Sequence, residues 1–226
     1  MKYLVFDTET TGLINKTNLS IENVELFPHI VQLSYIIYDD QIKEITLTYD
    51  VIIKLENPSL IKPENSAIHK ITPEMSSKSK ITIYQALNML FNSLSHVDMI
   101  IGHNLSFDIN MLNVEILRLK EKKLYNPVME YGYKKLTNSK FVFCTMKQNI
   151  ERCAIKRTNK FGSYNKYPRL SELHLNLFKQ MPLNLHNSLI DVLITLRCYV
   201  YTELSYDIIN INTLKPFYKD LLPPLY

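Results

Sequence analysis

The amino-acid sequence predicts an α/β fold, a mixed five-stranded sheet flanked by helices, and three observations carry that expectation. Strand-like runs come first, at residues 2–7, 31–38 and 42–55; strand and helix patterns then alternate; and the last long pattern, 187–204, is amphipathic and helical. Strands followed by strand–helix alternation imply one sheet with helices packed against it.

Taken in order, residues 2–7 are an apolar run ending on acidic residues, the pattern of a buried strand that delivers polar groups at its carboxyl end. Thr10, Thr11 and Gly12 break it, and a polar stretch through Pro28 reads as a long loop. Residues 31–38 and 42–55 are rich in β-branched and aromatic side chains, with Asp39-Asp40-Gln41 suited to a hairpin turn between them. Pro58, Pro63 and Pro73 punctuate an irregular segment. Residues 84–95 then have helical spacing through Ala86, Leu87, Leu90, Phe91 and Leu94, and 97–101 follow as a strand. Residues 107–124 are the longest helical candidate, which places Asp108 in a first helical turn; 141–145 read as the fifth strand and 171–178 as a short helix.

Composition excludes more than it selects. A chain of 226 residues, 46% hydrophobic and 21% charged, buries a substantial core and fits one elaborated domain rather than a disordered or fibrous chain. Cys144, Cys153 and Cys198 are odd in number and lack any C-x-x-C pair, so they read as reduced thiols of an intracellular, cytoplasmic protein rather than a disulfide or zinc framework. No stretch approaches the eighteen or so apolar residues of a membrane span, and Asp7 and Glu9 interrupt the opening apolar run too early for a signal peptide. The net charge of +4 is compatible with a polyanionic ligand but equally with a solvated lysine surface.

Chemistry concentrates in three short segments. Asp7 and Glu9 are two residues apart at a strand end, so both carboxylates point to one face, where repulsion and lost solvation call for protons or a cation; a solvated loop is the alternative for a lone D-x-E. Asp108 sits where a helix dipole favours an anion, which is common without any function. His186 and Asp191, five apart, would diverge by about 140° on a single helix. If Asn187 or Ser188 caps the helix instead, His186 lies on the preceding loop and can fold over the site that Asp191 faces.

In order, Phe6-Asp7-Thr8-Glu9-Thr10-Thr11-Gly12-Leu13, then Gly102-His103-Asn104 through Phe107-Asp108, then His186 through Asp191 closely resemble the motifs of the DEDDh 3'-5' exonuclease superfamily, which includes proofreading epsilon-type subunits and Trex-like nucleases. The likeness spans residues 2–204 and takes in Ala67 to Thr72, similar to an A-x-x-H-G-I-T segment, and Leu170-Ser171-Glu172-Leu173. It departs at Lys70, where glycine is usual, and at Leu105, where a small residue is usual. The resemblance implies an RNase H-like fold, with an exonuclease domain over 1–204 and residues 205–226 as a tail packed on or extending from it. It further implies that Asp7, Glu9 and Asp191 hold one metal, that Asp7 is shared with a second which Asp108 assists, and that His186 activates water.

The activity so implied is removal of nucleoside monophosphates from the 3' end of single-stranded or mismatched DNA by a two-metal mechanism. All-oxygen ligands favour two Mg²⁺ ions, with Mn²⁺ as substitute. DNA is preferred to RNA as partner because Thr10 follows Glu9 where oligoribonuclease-type relatives usually carry methionine; an RNA-directed exonuclease, a silent nucleic-acid-binding module and a polymerase-associated subunit are the alternatives. Composition is similar to exonuclease-like proteins of large DNA viruses, which would place the protein in host cytoplasm or a virus factory. Thr10, Thr11, Gly12 and Leu13 are candidates to position the terminal nucleotide, with a tight turn needing Gly12 as the alternative. Asn104 is a further candidate substrate contact, although His103 and Asn104 also suit a turn that aims Asp108. Lys156, Arg157, Lys160, Phe161, Tyr164, Lys166, Tyr167 and Arg169 interleave cations and rings, a composition suited either to a strand-binding loop or to a solvated one.

Overall fold

The computed structural model describes residues 1–14, 21 and 23–223. Its centre is the apolar run near the start of the chain, Lys2–Thr10 (β1), in which Tyr3, Leu4, Val5 and Phe6 are all buried. A strand buried on both faces needs a layer on each side. β2 (Ile30–Asp39) pairs antiparallel with β1, Glu9 opposite Gln32, and β3 (Glu44–Ile52) returns antiparallel along β2. The turn between them runs through residues 40–43 with Lys43 in the left-handed conformation (φ 56°), so β3 is shorter at both ends than its apolar pattern suggested. Of the long loop expected before β2, residues 15–20 and 22 lie outside the described residues. Its return is tied down by buried Arg118, which donates to the carbonyls of Val24, Phe27 and Pro28 and to Glu115.

The segment expected to be irregular contains two short helices, α1 (Pro63–His69) and α2 (Pro73–Lys78). Each proline opens its helix, where the missing N–H costs nothing. Lys70 ends α1 at φ 63°, the left-handed position at which glycine is free of strain and lysine is not. α3 (Ile83–Leu94) starts with a capping box between Thr82 and Gln85. β4 (Met99–Gly102) follows parallel to β1, then α4 (Leu105–Glu121). Leu105 fills the space above Gly102, where a Cβ would come within 2.8 Å of its Cδ1.

α5 (Pro127–Leu136), unanticipated from the sequence, is capped by Asn126 and lays Gly132 against the Phe91 ring of α3. β5 (Val142–Cys144) pairs parallel with β4 and completes the sheet in the order β3-β2-β1-β4-β5. Two one-turn helices, α6 (Thr145–Gln148) and α7 (Ile150–Cys153), lead into β6 (Lys156–Asn159) and β7 (Gly162–Asn165), a separate two-stranded hairpin where a loop was expected. α8 (Leu170–Phe178) and α9 (Ser188–Tyr199) follow, the latter continuing through a π-helical turn at Val200–Leu204, and then α10 (Lys215–Tyr218).

Alternation along β1 divides the core. Leu4 and Phe6 pack with α3, α4 and α5; Tyr3 and Val5 pack with α9 and with Ile208, Leu214, Tyr218 and Leu221 beyond it. Those last residues are buried behind α9, and Arg197 of α9 donates twice to Asp207 while Tyr218 Oη donates to the Leu193 carbonyl. Among the described residues no helix is long and apolar enough to cross a membrane, and Cys144, Cys153 and Cys198 are free thiols.

Candidate active site

The same alternation aims the acidic residues. Asp7 and Glu9 continue the Tyr3–Val5 face toward α9, so Asp191, in the first turn of α9, meets them from the other layer. Carboxylate oxygens of Asp7, Glu9 and Asp191 lie within 4.8 Å of one another. Asn187 caps α9, accepting from the Ile190 N–H, and Ser188 donates to the Asp7 carbonyl at 2.6 Å, which pins the helix end across β1. The Ser188 N–H also reaches Gln32 Oε1 at 3.4 Å.

Thr8, on the opposite face of β1, holds the fourth carboxylate. Its N–H and hydroxyl both donate to Asp108 Oδ1, at 3.0 and 2.7 Å, so Asp108 is buried beside the cluster rather than within it. Thr8 does not stand out from the sequence, and Ser188 does so only as a possible helix cap. The available signal was strand alternation: a polar even-numbered residue between Asp7 and Glu9 must face the helix that carries Asp108.

His186 stands on the loop before α9, as capping by Asn187 requires, with φ 70° and an exposed side chain. Its backbone N–H donates to Asp191 Oδ2 at 3.2 Å. Thr10 is buried and donates to the Gly12 carbonyl, while the Thr11 N–H and hydroxyl bond the backbone of His29. Gly12 is outside the left-handed region and a Cβ there would meet nothing within 4 Å, so the turn does not demand glycine. Leu13 is 73% exposed beside it. Asn104 takes the left-handed conformation (φ 57°) at the start of α4, and its side chain makes no capping bond.

Burial and mutual repulsion dominate the electrostatics. Burial, then the charges of Asp108, Asp191 and Glu9, hold the Asp7 carboxyl well above the usual range, against a hydrogen bond from Ser188. Burial followed by Asp191 and Asp108 pushes Glu9 up to about 8. Burial raises Asp108 to about 7 despite the Thr8 hydrogen bonds, and raises Asp191 to about 7 despite the His186 N–H. No ion pair among the described residues involves any of the four, and Asp191 Oδ1 is buried without a hydrogen-bond partner. An all-oxygen donor set, an orphaned carboxylate oxygen and no ion-pair partner among the described residues fit a divalent metal ion.

A stability test follows. Each carboxyl has a folded-state pKa above its unfolded value, so its contribution to stability is fully present below about pH 4, where both states are protonated. That contribution is lost as pH rises toward about 8, the Glu9 value. In chelator, Tm is expected to fall across this window, and Mg²⁺ or Mn²⁺ should restore it at pH 8 with little effect at pH 5. Thermal unfolding over that pH range checks this; a metal response as large at pH 5 as at pH 8 contradicts it.

The profile of the RNase T family, described as an exonuclease, matches residues 4–199. No curated protein sequence matches the chain. Among solved structures it is similar to exonuclease I of Methylocaldum szegediense (16% identity, TM-score 0.60, covering 92% of this chain and 42% of that one). It is also similar to Escherichia coli exonuclease I in complex with a dA16 oligonucleotide (18% identity, TM-score 0.56, covering 89% and 41%). A third is a 3'-exonuclease described in 3'-end-specific recognition of a histone mRNA stem-loop (12% identity, TM-score 0.62, covering 88% and 62%). The chain thus spans less than two thirds of the length of these relatives. Its mixed sheet flanked by helices is the RNase H-like α/β fold of exonucleases. With that fold, and with a family match running from β1 through α9, the chain belongs to the RNase T exonuclease family of the DEDD 3'-5' exonuclease superfamily.

Proposed function

We propose that the protein is a metal-dependent 3'-5' exonuclease that hydrolyses the terminal phosphodiester of single-stranded or mismatched DNA and releases nucleoside monophosphates. The observation that carries this reading is the meeting of Asp7, Glu9 and Asp191 within 4.8 Å, with Asp108 beside them and no ion pair to balance them among the described residues. Four carboxylates repel a phosphodiester, so the site needs cations before it can accept substrate. Asp7, Glu9, Asp108 and Asp191 would hold two Mg²⁺ ions, or Mn²⁺ in their place, which when bound supply the charge that orients water and stabilises the leaving 3' oxygen. Thr8 fixes Asp108, and Ser188 fixes the end of α9 against the strand bearing Asp7 and Glu9. His186, whose backbone N–H bonds Asp191 and whose ring is exposed, takes the proton from the attacking water in this reading. Thr10 to Leu13, with Asn104, line the approach of the terminal nucleotide. Residues 1–204 form the catalytic domain in this reading, and 205–226 a tail belonging to it.

DNA is preferred on the sequence from Asp7 to Leu13 and on the oligonucleotide complexes of exonuclease I relatives. RNA is the second reading, favoured by the likeness to the exonuclease of the histone mRNA stem-loop. Digestion of matched single-stranded DNA, mismatched duplex and RNA, each with a free or blocked 3' end, separates them. The expected result is mononucleotide release from free 3' ends of DNA, full protection by a 3' block, and arrest by chelator. Undiminished cleavage of circular single strands would point to an endonuclease instead.

A further inference from the structure

The β6–β7 hairpin is unlike the rest of the molecule. From residue 154 to 171 the sequence carries five cations and no carboxylate, and every residue from Lys156 to Tyr164 is exposed. Both faces of this hairpin therefore meet solvent and neither packs on the core, although a two-stranded hairpin is at best marginal alone. Its two-residue tip is Lys160–Phe161, closed by the Asn159–Gly162 pair, with Gly162 at φ 124° and Asn159 Oδ1 accepting from the Phe161 N–H. Phe161 is 86% exposed, so the ring contributes nothing to folding. Arg157 stands directly across from Tyr164, which puts a guanidinium and a ring on one face. Lys166 is engaged by Glu172, whereas Lys156, Arg157 and Lys160 make no ion pair among the described residues.

The base of this hairpin is tied to the residue that leads into α4, the helix of Asp108. His103 Nε2 lies 3.1 Å from the Pro168 carbonyl, just past β7, and its Nδ1 lies 3.0 Å from the Thr145 hydroxyl, just past β5. Burial holds the His103 imidazole down to about 4. The neutral ring therefore donates from Nε2 to Pro168 and accepts from Thr145 at Nδ1. His103 also precedes Asn104 at the start of α4, the helix of Asp108. The hairpin base is thus tied to the carboxyl ends of β4 and β5, the end of the sheet at which β1, parallel to β4, carries Asp7 and Glu9.

We propose that the β6–β7 hairpin is a strand-holding arm that grips single-stranded nucleic acid upstream of the scissile end, Phe161 stacking on a base while Lys156, Arg157 and Lys160 meet phosphates. This rests on the nuclease reading above and adds to it a contact surface outside the acidic site. Base–aromatic stacking with flanking cations is the chemistry of sequence-tolerant single-strand binding.

The chain contains no tryptophan, so Phe161→Trp places a sole indole reporter at the tip. A 3'-blocked, fluorescein-labelled DNA 16-mer in Mg²⁺ should quench that emission and raise the anisotropy of the label with the same midpoint. Phe161→Ala should weaken binding of the 16-mer by roughly 5- to 100-fold with Tm unchanged. The same variant should hydrolyse the p-nitrophenyl ester of thymidine 5'-monophosphate, which reaches only the acidic site, at the unsubstituted rate. Binding of the 16-mer with a silent indole and unchanged affinity of Phe161→Ala overturns the arm and leaves the nuclease reading standing. Loss of ester hydrolysis in Phe161→Ala also overturns it, by showing action through the acidic site. An unsubstituted protein that neither binds the 16-mer nor cleaves the ester overturns both.

Discussion

Asp7→Asn is expected to abolish nucleotide release while making the metal-free protein harder to unfold. Asp7 has the most crowded position of the four carboxylates: Asp108, Asp191 and Glu9 all raise its proton affinity. In the proposed reaction it serves both metal ions, so the amide withdraws charge from each. A loss of about 10³-fold or more is expected, the upper range for removing one electrostatic group. In chelator at pH 8 the same change removes a carboxyl whose proton affinity is raised by burial and by three acidic neighbours, so the fold no longer bears the cost of either burying its charge or holding its proton. A gain of at least about 1 kcal/mol follows, a rise in Tm of roughly 2–4 °C for a chain of this size. Nuclease assay and thermal unfolding of one preparation measure both. Wild-type activity would refute the assignment of Asp7, and a lower Tm in chelator would refute the repulsion argument.

His186→Ala should lower turnover by roughly 10²- to 10⁴-fold, the usual contribution of a positioned base, and leave metal and strand binding nearly unchanged. The structure makes this substitution unusually clean. What His186 gives Asp191 is its backbone N–H, which alanine keeps, so Asp191 stays aimed while only the exposed ring is removed. Single-turnover rates at saturating metal, together with the metal-induced rise in Tm, separate chemistry from binding. A variant with the full single-turnover rate excludes His186 as the base.

What could be read from the sequence was whatever had a period or a cap. The apolar run before Asp7, the helical stripe after Phe107 and the break between His186 and Asp191 each follow from geometry that neighbouring residues impose on one another. Five residues apart on one helix, His186 and Asp191 would diverge by about 140°, and Asn187 does cap α9, leaving His186 on the loop before it. Other elements were hidden for physical reasons. α1 and α2 are seven and six residues long, too short to show periodicity, although Pro63 and Pro73 mark their starts. α5 carries Asn126-Pro127 at its cap but only a sparse apolar stripe, Met129 and Leu136, because Gly132, its contact with Phe91, adds no hydrophobic signal. The β6–β7 hairpin has no apolar face at all, so alternation could not reveal it. Thr8 and Ser188 act through contacts 100 and 181 residues away, which no local pattern encodes.

Ser188 reaching back to Asp7, and the buried residues from Ile208 to Leu221 behind α9, also set an order of events during synthesis. A nascent chain that has emerged only as far as β5 already carries Asp7, Glu9 and Asp108, but it has neither the third carboxylate of the cluster nor the helix that brings it in. Emergence of α9 supplies Asp191, yet one side of that helix stays uncovered until the segment around Leu214 and Tyr218 arrives to bury it. The three-carboxylate cluster therefore forms only once the strand of Asp7 and Glu9 and the helix of Asp191 are both present.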